Sequence, residues 1–193
     1  MQHYREDDLD AFAELYRRHS KGLYQFIDWR SPRREWVDEI MQDSWAALHE
    51  ARGRYEPTAS FRTYLYQIAR HRLIDLLRQK EARLASDLGQ AGDDDDGGDG
   101  SAFDRLAERA EEVASPENLL EKKQQMNALH EAIRSLPGDQ KEVLVLQQFN
   151  AMSIEEIAEI TATPAETVKS RLRYAMQKLR AKLAEPTLLG ERA

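Results

Sequence analysis

The chain of 193 residues contains no cysteine. That excludes disulfide bridges, thiolate zinc sites and cysteine nucleophiles, and it fits a reducing compartment. Long apolar runs are missing too. None approaches the ~18 residues of a membrane span, and the opening stretch MQHYREDDLDAF is too acidic and polar for a secretory signal. The expectation is a soluble, cytoplasmic protein with no membrane insertion. Phosphate-binding GxxxxGK[ST], dinucleotide GxGxxG and zinc-protease HExxH patterns are all absent. The five histidines, His3, His19, His49, His71 and His130, lack metal-ligand spacing. Asp93, Asp95 and Gly98 match part of a calcium loop, but its fifth position is Gly97 and its twelfth is Asp104 instead of glutamate. No metal, cofactor or catalytic residue is expected, and the protein is read as a non-enzyme.

What is present is charge, at 33% of residues, against 41% apolar residues. That composition allows one domain or two small ones. The net charge of −7 is unevenly placed. Residues 1–82 carry 14 Lys/Arg and 14 Asp/Glu, residues 83–118 carry 3 and 11, and residues 119–193 carry 11 and 10. The acidity therefore belongs to one middle segment, which includes Asp93-Asp94-Asp95-Asp96-Gly97-Gly98-Asp99-Gly100. Such a run neither packs nor holds regular structure. Residues 103–114 have the pattern of a short, marginal helix. The reading is two folded parts, 1–82 and 119–185, joined by an acidic flexible linker (83–118) and followed by a tail (186–193).

Both parts read as all-α. In the first, Leu9, Phe12, Leu15, Tyr16, Leu23, Phe26 and Ile27 recur at helical spacing. Ser31-Pro32 resembles an N-cap followed by proline at the first helical position. A second stripe follows with Val37, Ile40, Met41, Trp45 and Leu48. Ser60 can cap a long third helix, with Phe61, Tyr64, Leu65, Ile68, Leu73, Leu76 and Leu77 on its apolar side. From Arg52 to Lys80 seven basic residues face only Glu56 and Asp75, with Tyr55, Phe61, Tyr64 and Tyr66 interleaved. Basic side chains track phosphates and aromatic faces stack on unpaired bases. Phe61 and Tyr64 lie on the stripe and are read as core. Tyr55 and Tyr66 lie off it and are the better stacking candidates.

In the second part, Ser115-Pro116 opens a helix that Pro137-Gly138 ends. Three Ser/Thr/Asp-x-x-Glu capping boxes follow, at Asp139/Glu142, Ser153/Glu156 and Thr163/Glu166. The last two start helices joined through Thr161-Ala162-Thr163, a helix-turn-helix layout. Such a motif puts the first turns of its second helix into the DNA major groove. That helix is expected to bury Val168, Leu172, Ala175, Met176, Leu179 and Leu183. Residues 164–183 hold six basic residues against Glu166 alone. Lys169, Ser170, Arg171 and Arg173 point off the apolar stripe.

Together these strings resemble the bacterial RNA polymerase sigma factors of the extracytoplasmic-function group. Asp38-Glu39-Ile40-Met41-Gln42-Asp43-Ser44-Trp45 is similar to the family's polymerase-binding helix. Phe61 through Arg78 is similar to its −10-element helix, and Leu136-Pro137 through Leu172 to its −35 domain. The resemblance implies that Asp38, Glu39, Gln42, Asp43 and Trp45 bind core RNA polymerase at the β′ clamp helices, through the side of the helix bearing Glu39, Gln42, Asp43 and Leu48. The β flap is the second polymerase contact. It implies that Arg54, Tyr55, Ser60, Phe61, Arg62, Tyr66, Arg70, His71 and Arg78 hold the −10 element. Thr167, Lys169, Ser170, Arg171, Arg173, Tyr174 and Lys178 would read the −35 element of promoter DNA. An anti-sigma factor is a further expected partner. The runner-up is a stand-alone helix-turn-helix repressor, which would not need the second basic, aromatic surface.

The linker length carries its own expectation. A 36-residue coil reaches only ~30–36 Å on average. Promoter elements about 25 base pairs apart lie ~85 Å apart. The free protein is therefore expected to be compact, with the linker stretched on polymerase within its limit of ~120 Å. The aspartate run is expected to occupy a basic polymerase channel, to cover a basic DNA-binding face, or to be a solvated spacer alone.

Overall fold

A computed structural model describes residues 4, 8–31, 33–55, 60–86 and 116–184, and the side chains of 80–86 and 116–122 lie outside that description. The aspartate run, residues 103–114 and the tail are outside it as well. The order is α1 (Leu9–Arg30), α2 (Arg34–Ala51), a 3-10 turn (Arg52–Arg54), α3 (Phe61–Ser86), α4 (Pro116–Arg134), α5 (Gly138–Gln148), α6 (Ile154–Thr161) and α7 (Ala165–Ala184). The described residues form no strand.

Helices α1, α2 and α3 pack on one another through the predicted stripes. Leu23, Phe26, Ile27, Val37, Ile40, Leu48, Leu65 and Leu73 are fully or almost fully buried. Asp8 caps α1, its side chain accepting from the Asp10 and Ala11 N–H groups at 3.0 and 3.1 Å. The predicted cap of α2 is displaced. Ser31 is the C-cap of α1, with its N–H on the Ile27 carbonyl, and α2 starts at Arg34 behind an Arg33 that makes no side-chain cap. The Ser31 hydroxyl donates instead to the Arg33 carbonyl at 2.7 Å. Ser60 caps α3 as expected, accepting from the Thr63 N–H at 3.1 Å. That helix continues to Ser86, past the expected boundary at 82.

In the second part α7 packs against α4, α5 and α6. Val168, Leu172, Ala175 and Leu179 are buried, but Met176 and Leu183 are exposed. These two fall on the edge of the stripe, where none of the described side chains covers them fully. Of the three capping boxes the structure forms the one at Ser153 and Glu156 in both directions. Glu142 is far from a cap: it is 1% exposed in the core-facing side of α5, whose N-cap is Pro137. Thr163 bonds hydroxyl to hydroxyl with Thr161, and Glu166 takes the Lys169 ammonium. The α6–α7 turn is closed by Ala162 in the left-handed region (φ 51°), its N–H on the Ala158 and Glu159 carbonyls.

The two parts are in contact, α1 against α5 and α3 against α6, and one continuous apolar core runs through both. Trp29 of α1 meets His130 of α4 edge-on at 5.3 Å and Phe149 at 5.7 Å. The compact state expected from linker length is the one observed.

A left-handed alanine stores strain that glycine does not. Ala162→Gly is expected to raise stability by about 0.5–1 kcal/mol, after allowing for glycine's extra chain entropy. Urea unfolding checks this; a lowered midpoint would count against the turn as described.

Candidate nucleic-acid and polymerase interfaces

The helix-turn-helix is built from α6 and α7. Its box at Ser153 fixes the start of α6, the Ser153 hydroxyl accepting from the Glu156 N–H at 3.1 Å and Glu156 Oε2 accepting from the Ser153 N–H at 3.0 Å. Burial of Val168, Leu172, Ala175 and Leu179 rolls the other side of α7 outward. Lys169, Arg173, Tyr174 and Lys178 are exposed on it, with Thr167, Ser170 and Arg171 half-buried beside them. The Arg173 guanidinium lies over the Tyr174 ring at 5.1 Å. Arg171 is held by Asp139 of α5 at 2.6 Å, and the Ser170 hydroxyl donates to the Thr167 carbonyl. The expected reading residues thus form one outward face.

The expected −10 residues divide into two groups. Arg54, His71 and Arg78 are exposed. Ser60 is exposed as well, and its hydroxyl reaches Glu156 at 3.4 Å. Phe61 is half-buried, its ring 5.1 Å from that of His19. Arg62, Tyr66 and Arg70 instead run along α3 at four-residue spacing and face the second part. Arg62 Nη2 donates to both Glu156 oxygens at 3.0 and 2.8 Å, and Nη1 to the Asn150 carbonyl at 3.1 Å. The Tyr66 hydroxyl donates to Asn150 Oδ1 at 2.6 Å, and Arg70 Nε to Glu142 Oε1 at 3.1 Å. Gln67 Nε2 adds a bond to the Glu159 carbonyl.

Two stacking expectations need correction. Tyr66 is 2% exposed, against Phe26 at 5.4 Å, and burial pushes its phenol well up. Tyr55 is 6% exposed and lies 5.1 Å from the Tyr64 ring. Each is off the stripe of its own helix bundle, yet a neighbouring element covers it. The acceptors Glu142, Asn150 and Glu156 were not foreseen; Glu142, next to the apolar run Val143-Leu144-Val145-Leu146, is the signal a charge at a core position gives.

On α2, Asp38, Glu39, Gln42 and Asp43 form an exposed acidic edge. Trp45 and Leu48 do not belong to it. Leu48 is fully buried, and Trp45 is 6% exposed in an aromatic cluster with Phe12 at 5.7 Å and Tyr16 at 5.0 Å. The large indole gains more by filling the α1–α2 gap than by facing water. Tyr4 closes this cluster, its hydroxyl bonded to His49 Nδ1. Among the described residues no group of three or more His, Asp or Glu is placed to hold a metal ion, and no helix is long and apolar enough to cross a membrane.

A helix-turn-helix with a basic outward face, joined to a second bundle with an arginine-lined helix, defines a two-part all-α DNA-binding protein. Residues 15–83 match sigma-70 region 2, and residues 126–179 match sigma-70 region 4. The chain is 24% identical to the ECF RNA polymerase sigma factor SigW of Bacillus subtilis (94% of this chain, 93% of that one). It is 28% identical to the RNA polymerase sigma factor NccH of Alcaligenes xylosoxydans xylosoxydans (92% and 89%). It is 26% identical to the ECF RNA polymerase sigma-E factor of Escherichia coli K12 (86% and 82%). Its fold is similar to that of the sigma factor RpoE in complex with the anti-sigma factor NepR from Bartonella quintana, with TM-score 0.69, 17% identity, and 90% and 96% of the two chains covered. CnrH in complex with the cytosolic domain of CnrY is similar too, with TM-score 0.62, 22% identity, and 93% and 91% coverage. The chain belongs to the sigma-70 family, in the extracytoplasmic-function group. It is an alternative sigma factor that directs RNA polymerase to promoters, not a stand-alone repressor.

Glu156 links the cap to the second bundle. Burial works to raise its carboxyl, but the Ser153 N–H, Arg62 and Ser60 outweigh that and hold it below the ordinary value. A depressed folded value contributes stability above the unfolded pKa and loses it as pH falls through the folded one. Ser153→Ala is expected to cost about 1 kcal/mol near neutral pH. The alanine backbone N–H still reaches the Glu156 carboxylate, so the acid dependence is expected to persist, read as the same loss of stability between neutral and acidic urea titrations in both proteins.

Proposed function

We propose that residues 1–82 bind core polymerase and melt the −10 element, and that residues 119–185 read the −35 element, with 83–118 as the connection. The carrying observation is the coexistence in one chain of a helix-turn-helix reading face and a separate arginine-lined, serine-capped helix. A repressor needs only the first. The exposed edge Asp38, Glu39, Gln42 and Asp43 suits a basic polymerase surface at the β′ clamp helices, while Trp45 shapes that helix from within. The second part contacts the β flap.

The reading helix enters the major groove with Lys169, Arg173, Tyr174 and Lys178 foremost. Arg171, steadied by Asp139, and Thr167 and Ser170 lie beside them. Bidentate Lys/Arg contacts to guanine discriminate by ~1–3 kcal/mol each. Arg54, Ser60, Phe61, Arg62, Arg70, His71 and Arg78 hold the non-template −10 strand. Tyr55 and Tyr66 serve there only once the elements covering them move. Stacking of ~1–3 kcal/mol per base offsets the cost of unpairing. Polymerase supplies the chemistry, so this chain needs no catalytic residue or cofactor. Its place of action is the cytoplasm. An anti-sigma factor is a further partner; support comes from Bartonella quintana RpoE, which is bound by one.

Co-purification with core RNA polymerase, followed by run-off transcription on a promoter library, tests the reading. Tight association with selective initiation is expected. No association, with free protein shifting a palindromic duplex, would overturn it. Glu39→Lys with Asp43→Lys is expected to abolish co-purification while leaving helicity unchanged by circular dichroism. Arg173→Ala is expected to lower −35-dependent initiation by about 5- to 150-fold, the equivalent of ~1–3 kcal/mol, with little effect on polymerase binding.

A further inference from the structure

The cations along the outward face of α7 are held in two different ways. The Lys169 ammonium lies on Glu166 at 2.7 Å, and Arg171 Nη2 donates to Asp139 at 2.6 Å. A carboxylate that holds a cation in this way takes up its donors and offsets the charge that a DNA backbone would meet. Arg173 is held by a ring instead. Its guanidinium carbon stands 5.1 Å from the centroid of the Tyr174 ring. Among the described residues it makes no hydrogen bond or ion pair. Tyr174 is 48% exposed, so ring and guanidinium stand together in solvent on the face assigned to the major groove. Lys178, one turn further on, has neither a carboxylate nor a ring against it among the described residues.

The difference bears on how a guanine is read. The donors of a guanidinium lie in its own plane, whereas a ring attracts the cation through the face of its π system. The ring therefore restrains the side chain without spending a donor. Bidentate contact to guanine O6 and N7 needs two such donors in one orientation. A side chain already restrained loses less freedom when it docks. We propose that Tyr174 is a positioning residue that holds Arg173 ready for one guanine of the −35 duplex, so that base discrimination by α7 centres on this pair. Lys169 and Arg171, each tied to a carboxylate, place the helix against phosphates instead. The proposal rests on the assignment of α7 to the −35 element made above, and it separates the side chain that selects a base from those that set the register.

The test uses the reconstituted holoenzyme and a promoter library randomised over the −35 positions. The unsubstituted factor is expected to favour guanine at one of them, and Arg173→Ala to lose that preference. Tyr174→Leu is expected to weaken it about fivefold, the scale of a cation–π contact, with preferences at the other positions unchanged. Tyr174→Phe keeps the ring and is expected to keep the preference. The side chain is exposed, so both variants are expected to retain the helicity of the parent by circular dichroism. A full guanine preference in Tyr174→Leu overturns the proposal, as does one that survives Arg173→Ala. A loss spread evenly over all positions, or one as large in Tyr174→Phe as in Tyr174→Leu, overturns it too. Failure of the underlying assignment reads differently. Initiation indifferent to every −35 position retires the reading role of α7 and the pairing with it, whereas a preference that Arg173→Ala removes and Tyr174→Leu keeps sinks the pairing alone.

Discussion

The closed arrangement turns on one carboxylate. Glu142 enters the seam from α5 and meets Arg70 of α3 at 3.1 Å and, more distantly, Arg30 of α1. Both guanidinium groups are largely withdrawn from water. Without Glu142 the first bundle would present two cations to a dry surface, a cost of several kcal/mol per ion even after relaxation. Lys141, the preceding residue, adds to the positive excess. Burial lowers its ammonium, with Arg30 and Arg134 pushing the same way. A buried anion between these cations helps to fix where α5 docks.

The polar contacts fix register because they follow the helix period. Residues 62, 66 and 70 advance about 40° per four-residue step, so they stay on one side of α3 over two turns. A shift of one residue would rotate that row by about 100° and break all of its bonds. The apolar seam beside it, Trp29 against His130 and Phe149, tolerates small slips that hydrogen bonds do not. Burial thus brings the halves together, and the donors of α3 decide how they meet.

The helices themselves were legible because each bundle buries a stripe of its own. Leu23, Val37, Leu65, Leu73, Val168, Leu172 and Leu179 all fall where periodicity places them. The exposed face of α7 follows from the same rule. What periodicity does not carry is a second buried face. Helix α3 packs on α1 and α2 from one side and on α6 from another. Tyr66 therefore looks solvent-facing when the first bundle is considered alone. Glu142 was mistaken for a cap for the same reason: spacing from Asp139 satisfies the local motif, while its true partner is 72 residues away in sequence. Trp45 failed differently, since an aromatic residue on a motif helix is compatible with both a docking surface and a core.

The seam treats the polar faces of α3 and α7 unequally. It covers Arg62, Tyr66 and Arg70 but leaves Lys169, Arg173, Tyr174 and Lys178 of α7 open to solvent. The structural cost of parting also differs between halves. Glu156 retains its bond to the Ser153 N–H when Arg62 leaves, so the helix-turn-helix keeps its cap. Among the described residues Glu142 has no such second partner on its own side, and water would satisfy the oxygen the seam leaves unbonded if the halves parted. Helix α7 takes no part in these bonds, whereas Arg62, Tyr66 and Arg70 of α3 would each lose an acceptor if the halves parted.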